Sequence, residues 1–303
     1  MNAIEVRGLK KSFDATVVLD SISMMVRRGD IYGFLGPNGS GKTTTLRILL
    51  GIINADEGEI TVLGFDPSSS GQILRRRANA LPESHGFYGW MSALHYLRFF
   101  SQLYGMAFSA DELRARLQQV GLDPEDHRPV KTFSRGMKQR LGIARAIVND
   151  AVILFLDEPT NGLDPRGRRE VHDLLLTLNR EKGLTIVIST HILDDVERLC
   201  NRIAILDHGK LRYEGPLAYN QDGRTIRYRF HLGNGGLIPS PWEYSGISLV
   251  EKKEAWITCL IEGISPAQAI KTLVESGLPI IEAQTVSGGL EDLYLAHTTG
   301  GAA

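Results

Sequence analysis

Apolar and polar positions alternate along residues 4–13 and again along 17–26, with Gly and Asp breaks around them. A period of two marks a strand with one buried face, so two such runs in succession predict an antiparallel β region. Residues 31–35 are apolar throughout and residues 44–50 are helix-forming, so a strand and then a helix are expected there. Residues 58–64 read as another short strand bounded by glycines. From 92 to 104, Leu94, Leu97, Phe99 or Phe100 and Tyr104 recur at helical spacing behind Ser92, which can cap. Ser109-Ala110-Asp111-Glu112 is a capping box opening a helix that carries Leu113, Leu117 and Val120 and stops at Gly121. The block from 72 to 145 is therefore expected to be mostly helical.

Beyond it, strand and helix patterns alternate: strands at 152–156, 185–189 and 202–206, helices at 167–180 and 194–200. Strands apolar throughout and separated by helices predict a parallel sheet covered on both faces. Near Gly215 the character changes, and residues 216–224 read as a polar, turn-rich linker. Strands are then expected at 225–232, 247–262 and 280–286. Ser265-Pro266-Ala267-Gln268 opens a helix running to about residue 276, and a short helix closes at 290–297. The expected class is α/β, in a first domain of residues 1–215, followed by a small α+β domain over 225–303.

Between the strand at 31–35 and its helix stands Gly36-Pro37-Asn38-Gly39-Ser40-Gly41-Lys42-Thr43. A glycine, four residues and Gly-Lys-Thr in a strand–helix setting form a phosphate-binding loop rather than a mere glycine-rich turn. Its glycines let successive N–H groups point inward at phosphate oxygens, and the following helix adds the positive end of its dipole. Lys42 is expected to reach the β- and γ-phosphates and the Thr43 hydroxyl to ligate Mg²⁺. The strand at 152–156 ends in Asp157 and Glu158. A carboxylate at such a tip can hold Mg²⁺ through water, the role expected of Asp157. Glu158 is placed to take a proton from the water attacking the γ-phosphate. The plainer reading, two acids at an exposed strand end, weakens beside the loop upstream.

A formal net charge of −1 gives no global field toward nucleic acid, and no nucleic-acid partner is expected. Arg224, Arg227 and Arg229 alternate along one strand, which reads as a solvated strand face rather than an RNA contact. Cys200 and Cys259 fit no metal spacing and read as buried or idle thiols. The chain opens directly on strand-like alternation, so no signal peptide is expected. The longest apolar runs fall far short of the roughly 20 residues needed to cross a bilayer.

Four motifs in order carry a resemblance: the phosphate loop, then Phe133-Ser134-Arg135-Gly136-Met137-Lys138-Gln139-Arg140, then Asp157-Glu158-Pro159-Thr160-Asn161-Gly162-Leu163-Asp164, then Ser189-Thr190-His191. Together they resemble an ABC-transporter ATPase subunit, over about residues 4–215. The resemblance implies a P-loop NTPase core with an antiparallel β subdomain and a helical subdomain at about 72–145, using ATP and Mg²⁺. It implies nucleotide contacts from Gly36, Pro37, Asn38, Gly39, Ser40, Gly41, Lys42, Thr43 and Thr44. Ser134 and Gly136 would cap the γ-phosphate of ATP held by a second copy of the chain, packed head to tail. Asp164 would lie in the loop touching that partner. His191 would bond the γ-phosphate and hold the water and Glu158 in line, where a lone His before a helix is otherwise a cap. Phe13 looks like the residue that stacks on adenine, or is a plain core phenylalanine.

Three positions depart from the family pattern. Arg135-Gly136 replaces the usual glycine pair, Met137 replaces glutamine, and Leu81-Pro82-Glu83-Ser84 puts Glu83 where a Mg²⁺-touching glutamine is usual. Glu83 can still ligate through oxygen, but as an acid it responds to Mg²⁺ differently. These departures, with a C-terminal domain ending in Leu290-Glu291-Asp292-Leu293-Tyr294, are similar to the drug, polysaccharide, lantibiotic and copper-maturation exporters. That subgroup implies a separate membrane permease and a place at the cytoplasmic face of the membrane. Residues 83–100, with Phe87, Tyr88, Trp90 and Met91, are the candidate socket for it, or else they pack the helical subdomain. The rival functions are a soluble ABC ATPase working on a ribosome or an assembly machine, and an ATP sensor without turnover.

Overall fold

The computed structural model describes residues 2–84, 86–217, 225–233, 237–238, 242, 244–285 and 290–298. The chain divides into two compact units, Met1–Pro216 and Leu217–Ala303.

In the first unit, β1 (Asn2–Phe13) pairs antiparallel with β2 (Thr16–Arg27) and with β4 (Glu57–Val62), in the order β2-β1-β4. The alternation expected there is real: β2 buries Leu19, Ile22, Met24 and Val26 and turns the residues between them outward. A second sheet has the order β5-β6-β7-β3-β8-β9, from β5 (Ala78–Leu81), β6 (Ile153–Asp157), β7 (Thr185–Thr190), β3 (Ile31–Leu35), β8 (Arg202–Asp207) and β9 (Lys210–Pro216). All its pairs are parallel except β8–β9. Every residue of β3 and β7 is buried, as layers on both faces require. One core joins the sheets, with Leu9, Leu19 and Ile22 against Phe34, Leu46, Leu49 and Val187.

Parallel register decides where the chemistry lies. Leu35 stands opposite Thr190, and Asp157 opposite Ser189. The carboxyl ends of β3, β6 and β7 thus share one edge, the place where open α/β sheets bind ligands. Helix α1 (Lys42–Leu49) leaves β3 through the glycine loop.

The block from 72 to 145 is less uniformly helical than its sequence suggests. It follows α2 (Pro67–Leu74), capped by Asp66, and contains the strand β5 before α3 (Ala93–Leu103), α4 (Ala110–Gln119) and α5 (Arg135–Ala146). β5 has four residues, one of them Asn79, whose buried amide donates to Ala146 O at 2.7 Å. Such a strip lacks the length and apolar run that announce a strand. β9 was also hidden: a two-residue turn at His208 and Gly209, with φ of 45° and 72°, folds it back on β8. The caps hold as expected, with the Ser109–Glu112 box on α4 and Ser92 on α3. Helix α6 (Pro165–Lys182) and α7 (Leu193–Leu199) complete the layers.

The second unit is a four-stranded antiparallel sheet, β11-β12-β10-β13, carrying α8 (Pro266–Glu275) and followed by α9 (Leu290–Thr298). β10 is Thr225–Leu232 and β13 is Ile280–Thr285. The single run expected at 247–262 is a hairpin, β11 (Ile247–Lys253) and β12 (Trp256–Glu262), broken at Glu254, whose φ is 52°. Phe230, Leu232, Ile257, Cys259, Ile261, Ala269 and Leu273 form its core. Arg229 lies over the Trp256 ring at 4.4 Å, while Arg224 and the side chain of Arg227 lie outside the described residues. Most of the expected linker, 218–224, lies outside them too.

Candidate functional site

The loop between β3 and α1 depends on two glycines. A Cβ on Gly36 would stand 2.1 Å from the Leu206 carbonyl oxygen, and Gly41 has φ +108° with a Cβ position 2.5 Å from Leu19. No larger residue fits either place, so the backbone lies close and its amides stay available. Lys42 is 6% exposed, and its Nζ donates to the carbonyls of Gly36 at 2.7 Å and Pro37 at 3.1 Å. Burial lowers its pKa below the ordinary value, outweighing the opposing pull of Glu158, Asp157 and Glu83. An ammonium held short of solvation and short of a close carboxylate partner is suited to receive an anion. The Ser40 hydroxyl in the same loop is buried without a hydrogen-bond partner.

Asp157 ends β6 opposite this loop. Its carboxylate accepts from the Thr43 hydroxyl at 2.9 Å and 3.1 Å, and from the Ser189 hydroxyl. The next residue turns off the strand: Glu158 adopts φ 50°, unusual for a residue with a side chain, while its amide donates to Ser189 O at 2.9 Å. That turn brings Glu158 Oε2 to 2.9 Å from His191 Nδ1 and Oε1 to 3.9 Å from Lys42 Nζ. Glu158 Oε1 is buried with no hydrogen-bond donor. A carboxylate with one oxygen oriented by histidine and the other facing an ammonium without a hydrogen bond is arranged to accept a proton. Glu83 joins the group through Asn161, whose amide donates to it at 3.0 Å.

These side chains border a cleft of about 310 Å³ lined by Val18, Asn38, Gly39, Gly41, Lys42, Thr43, Thr44, Glu83 and Glu158. Oxygens of Thr43, Asp157 and Glu83 are the hard donors that Mg²⁺ takes, so the residues present fit that ion. Ser134, Gly136 and Asp164 are not part of this cleft. They line a second one of about 360 Å³ with Arg135, Arg140, Gly162 and Leu163. Ser134 caps α5 by accepting from the Met137 amide at 3.2 Å, and Asp164 caps α6 by accepting from Gly167 at 2.8 Å. One chain therefore presents two separate clefts.

Phe13 is 46% exposed at the end of β1, with Lys11 Nζ 5.2 Å above its ring, so it is not a core phenylalanine. Of the aromatics near α3, Phe87 packs on buried Tyr96 with centroids 5.3 Å apart and Tyr88 meets Phe99 at 5.5 Å. Trp90 is 73% exposed. Both cysteines are buried, which raises both thiol pKa values, Cys259 to about 12. Sequence reasoning assigned no role to Val18, Asn161 or Ser189. Asn161 and Ser189 fell inside quoted motifs, but nothing local revealed their partners.

The strand–loop–helix at the sheet's carboxyl edge, with Asp157 and Glu158 at the end of β6 one strand beyond its neighbour β7, defines a P-loop NTPase. Residues 19–161 match the family described as ABC transporter. The chain is similar to the bacitracin transport ATP-binding protein BcrA of Bacillus licheniformis, with 33% identity over 98% of this chain and 98% of that protein. It is also similar to the daunorubicin/doxorubicin resistance ATP-binding protein DrrA of Streptomyces peucetius, at 32% identity over 98% and 92%. Among solved structures, a dimeric post-hydrolysis ATP-binding cassette bound to ADP and phosphate overlays with a TM-score of 0.64. It is 25% identical and covers 72% of this chain and 100% of that one. The chain belongs to the ABC transporter family, as an ATP-binding ATPase subunit.

Proposed function

We propose that two copies of this chain clamp two ATP molecules head to tail and that this closure drives a separate membrane permease in export. The observation that carries the proposal is the division of the machinery: Lys42, Thr43 and Glu158 line one cleft, with Asp157 bonded to Thr43 and His191 to Glu158, while Ser134, Gly136 and Asp164 line another. A symmetric head-to-tail pair makes each site whole, with a phosphate loop from one copy and a signature from the other. Ser134 and Gly136, at the start of α5, then offer a hydroxyl and a backbone N–H to the γ-phosphate.

In each composite site the loop from Gly36 to Thr44 cradles the phosphates, and Lys42 moves its charge from the loop carbonyls to them. Phe13 and Val18 offer apolar surface to the adenine. Thr43 and Asp157, with Glu83, would hold Mg²⁺, which when bound neutralises charge on the phosphate oxygens. Glu158 takes the proton of the attacking water through Oε1, and His191 holds Glu158 through Oε2. Hydrolysis removes the γ-phosphate bridging the halves, and the pair opens. Bacitracin transport and daunorubicin/doxorubicin resistance, the roles of the two relatives, favour export, and the exposed Trp90 and Tyr88 favour residues 83–100 as the permease socket. Such a partner places the chain at the cytoplasmic face of the membrane.

Glu158→Gln tests the hydrolytic assignment. Steady-state hydrolysis should fall at least roughly a hundredfold while ATP affinity stays within about threefold, the signature of a group acting in the transition state. Chelation by EDTA should silence the wild-type chain. Retained hydrolysis in Glu158→Gln would remove Glu158 from the chemistry.

A further inference from the structure

A polar cluster is buried in the first unit, and none of its residues lines either cleft. Asp195, on α7, is fully buried, as is Thr160; Thr190 and His172 are buried with it. Asp195 Oδ1 faces His172 Nε2 at 2.8 Å, and Oδ2 accepts from the Thr160 hydroxyl and, at 3.4 Å, from the Thr190 hydroxyl. Arg168 Nε stands 4.0 Å from Oδ1. His172 Nδ1 is buried without a partner, so the tautomer with its proton on Nε2 leaves no N–H orphaned and donates to Asp195. Asp194 comes close to the pair, but it is exposed and binds Arg198 at 2.9 Å, so the cluster is a hydrogen-bond network rather than an ion cage.

Burying a carboxylate costs several kcal/mol before its partners compensate, and such groups are weak evidence of stability. What this one does is join two turns. Thr160 lies two residues after Glu158, and Thr190 immediately precedes His191. Glu158 turns off its strand at φ 50°. Its amide still bonds Ser189 O at 2.9 Å, but that bond holds the backbone, and where the side chain stands relative to His191 depends on the turns that follow. The same carboxylate oxygen ties both turns, and the Thr190 hydroxyl passes the tie on by accepting from the Ile192 amide at 3.0 Å. We infer that Asp195, oriented by His172, is a positioning residue that sets the Glu158–His191 contact by clamping Thr160 and Thr190. The inference rests on the reading that Glu158 and His191 carry hydrolysis. It also reaches the second cleft, because Thr160 begins the segment that carries Asn161 to Glu83 and ends at Asp164.

The experiment compares Thr160→Val, which keeps the shape and removes the hydroxyl, with Thr160→Ser, which keeps the hydroxyl, in the full chain. Hydrolysis, ATP affinity and melting temperature are measured for each. Thr160→Val should lose roughly ten- to a hundredfold in kcat, as expected of a misplaced group, with ATP affinity within about twofold. Thr160→Ser should keep kcat within about twofold of wild type. Unchanged kcat in Thr160→Val overturns the clamp, and so does an equal loss in both variants accompanied by weaker ATP binding. If Thr160→Val does not fold, Asp195→Asn decides: a lower kcat at held affinity supports the clamp, and wild-type kcat overturns it. The wild-type chain reports separately on the underlying reading, since absent ATP hydrolysis there removes both.

Discussion

Lys42 shows how one buried charge is prepared for a ligand. Desolvation holds its pKa down, and the carbonyls of Gly36 and Pro37 give it a temporary hydrogen-bonded seat. A triphosphate offers more charge than those carbonyls, so Lys42→Ala should weaken ATP binding roughly ten- to a hundredfold. That range corresponds to the about 1.5–3 kcal/mol of a hydrogen bond to a charged group, and titration calorimetry would read it. Unchanged affinity would mean that the ammonium stays on the loop. At this scale much was legible in the sequence. Gly36 through Thr44, Asp157 and Glu158 could be proposed from residue type and local spacing, and His191 from the family resemblance; the structure brings Glu158 and His191 into contact. Asp195 and His172 did not, because their contact spans 23 positions and an Asp on a polar helix looks like any other. The pairing of Asn161 with Glu83, 78 positions apart, was hidden for the same reason.

Elements with a strong period or a cap were readable, and those defined by their neighbours were not. The Ser109–Glu112 box fixed the start of α4, whereas β5 exists because β6 offers it a parallel ladder from Ala78 to Leu81. The expected core stripe of α3 is also shifted: Ala93, Tyr96, Leu97 and Ser101 are buried, while Tyr104 is exposed. That shift sorts the aromatic segment before the helix. Phe87 packs against Tyr96, so Phe87→Ala should cost about 1–3 kcal/mol and lower the melting temperature. Trp90→Ala should stay within about 0.5 kcal/mol of wild type, as surface changes do, yet weaken stimulation of hydrolysis by the permease. Equal losses of stability in the two variants would make Trp90 a packing residue and move the socket elsewhere.

At the scale of the molecule, the register of β3, β6 and β7 collects the side chains proposed for hydrolysis, and α5 and α6 begin at a different cleft. The account therefore stands on a second copy. Its most direct test is the oligomeric state of Glu158→Gln by sedimentation or light scattering, with and without ATP and Mg²⁺. The chain should be monomeric alone and dimeric with nucleotide, and adding Ser134→Arg to the same variant should abolish the dimer while sparing ATP binding to the monomer. A monomer in saturating ATP and Mg²⁺, or a dimer indifferent to Ser134, would contradict it.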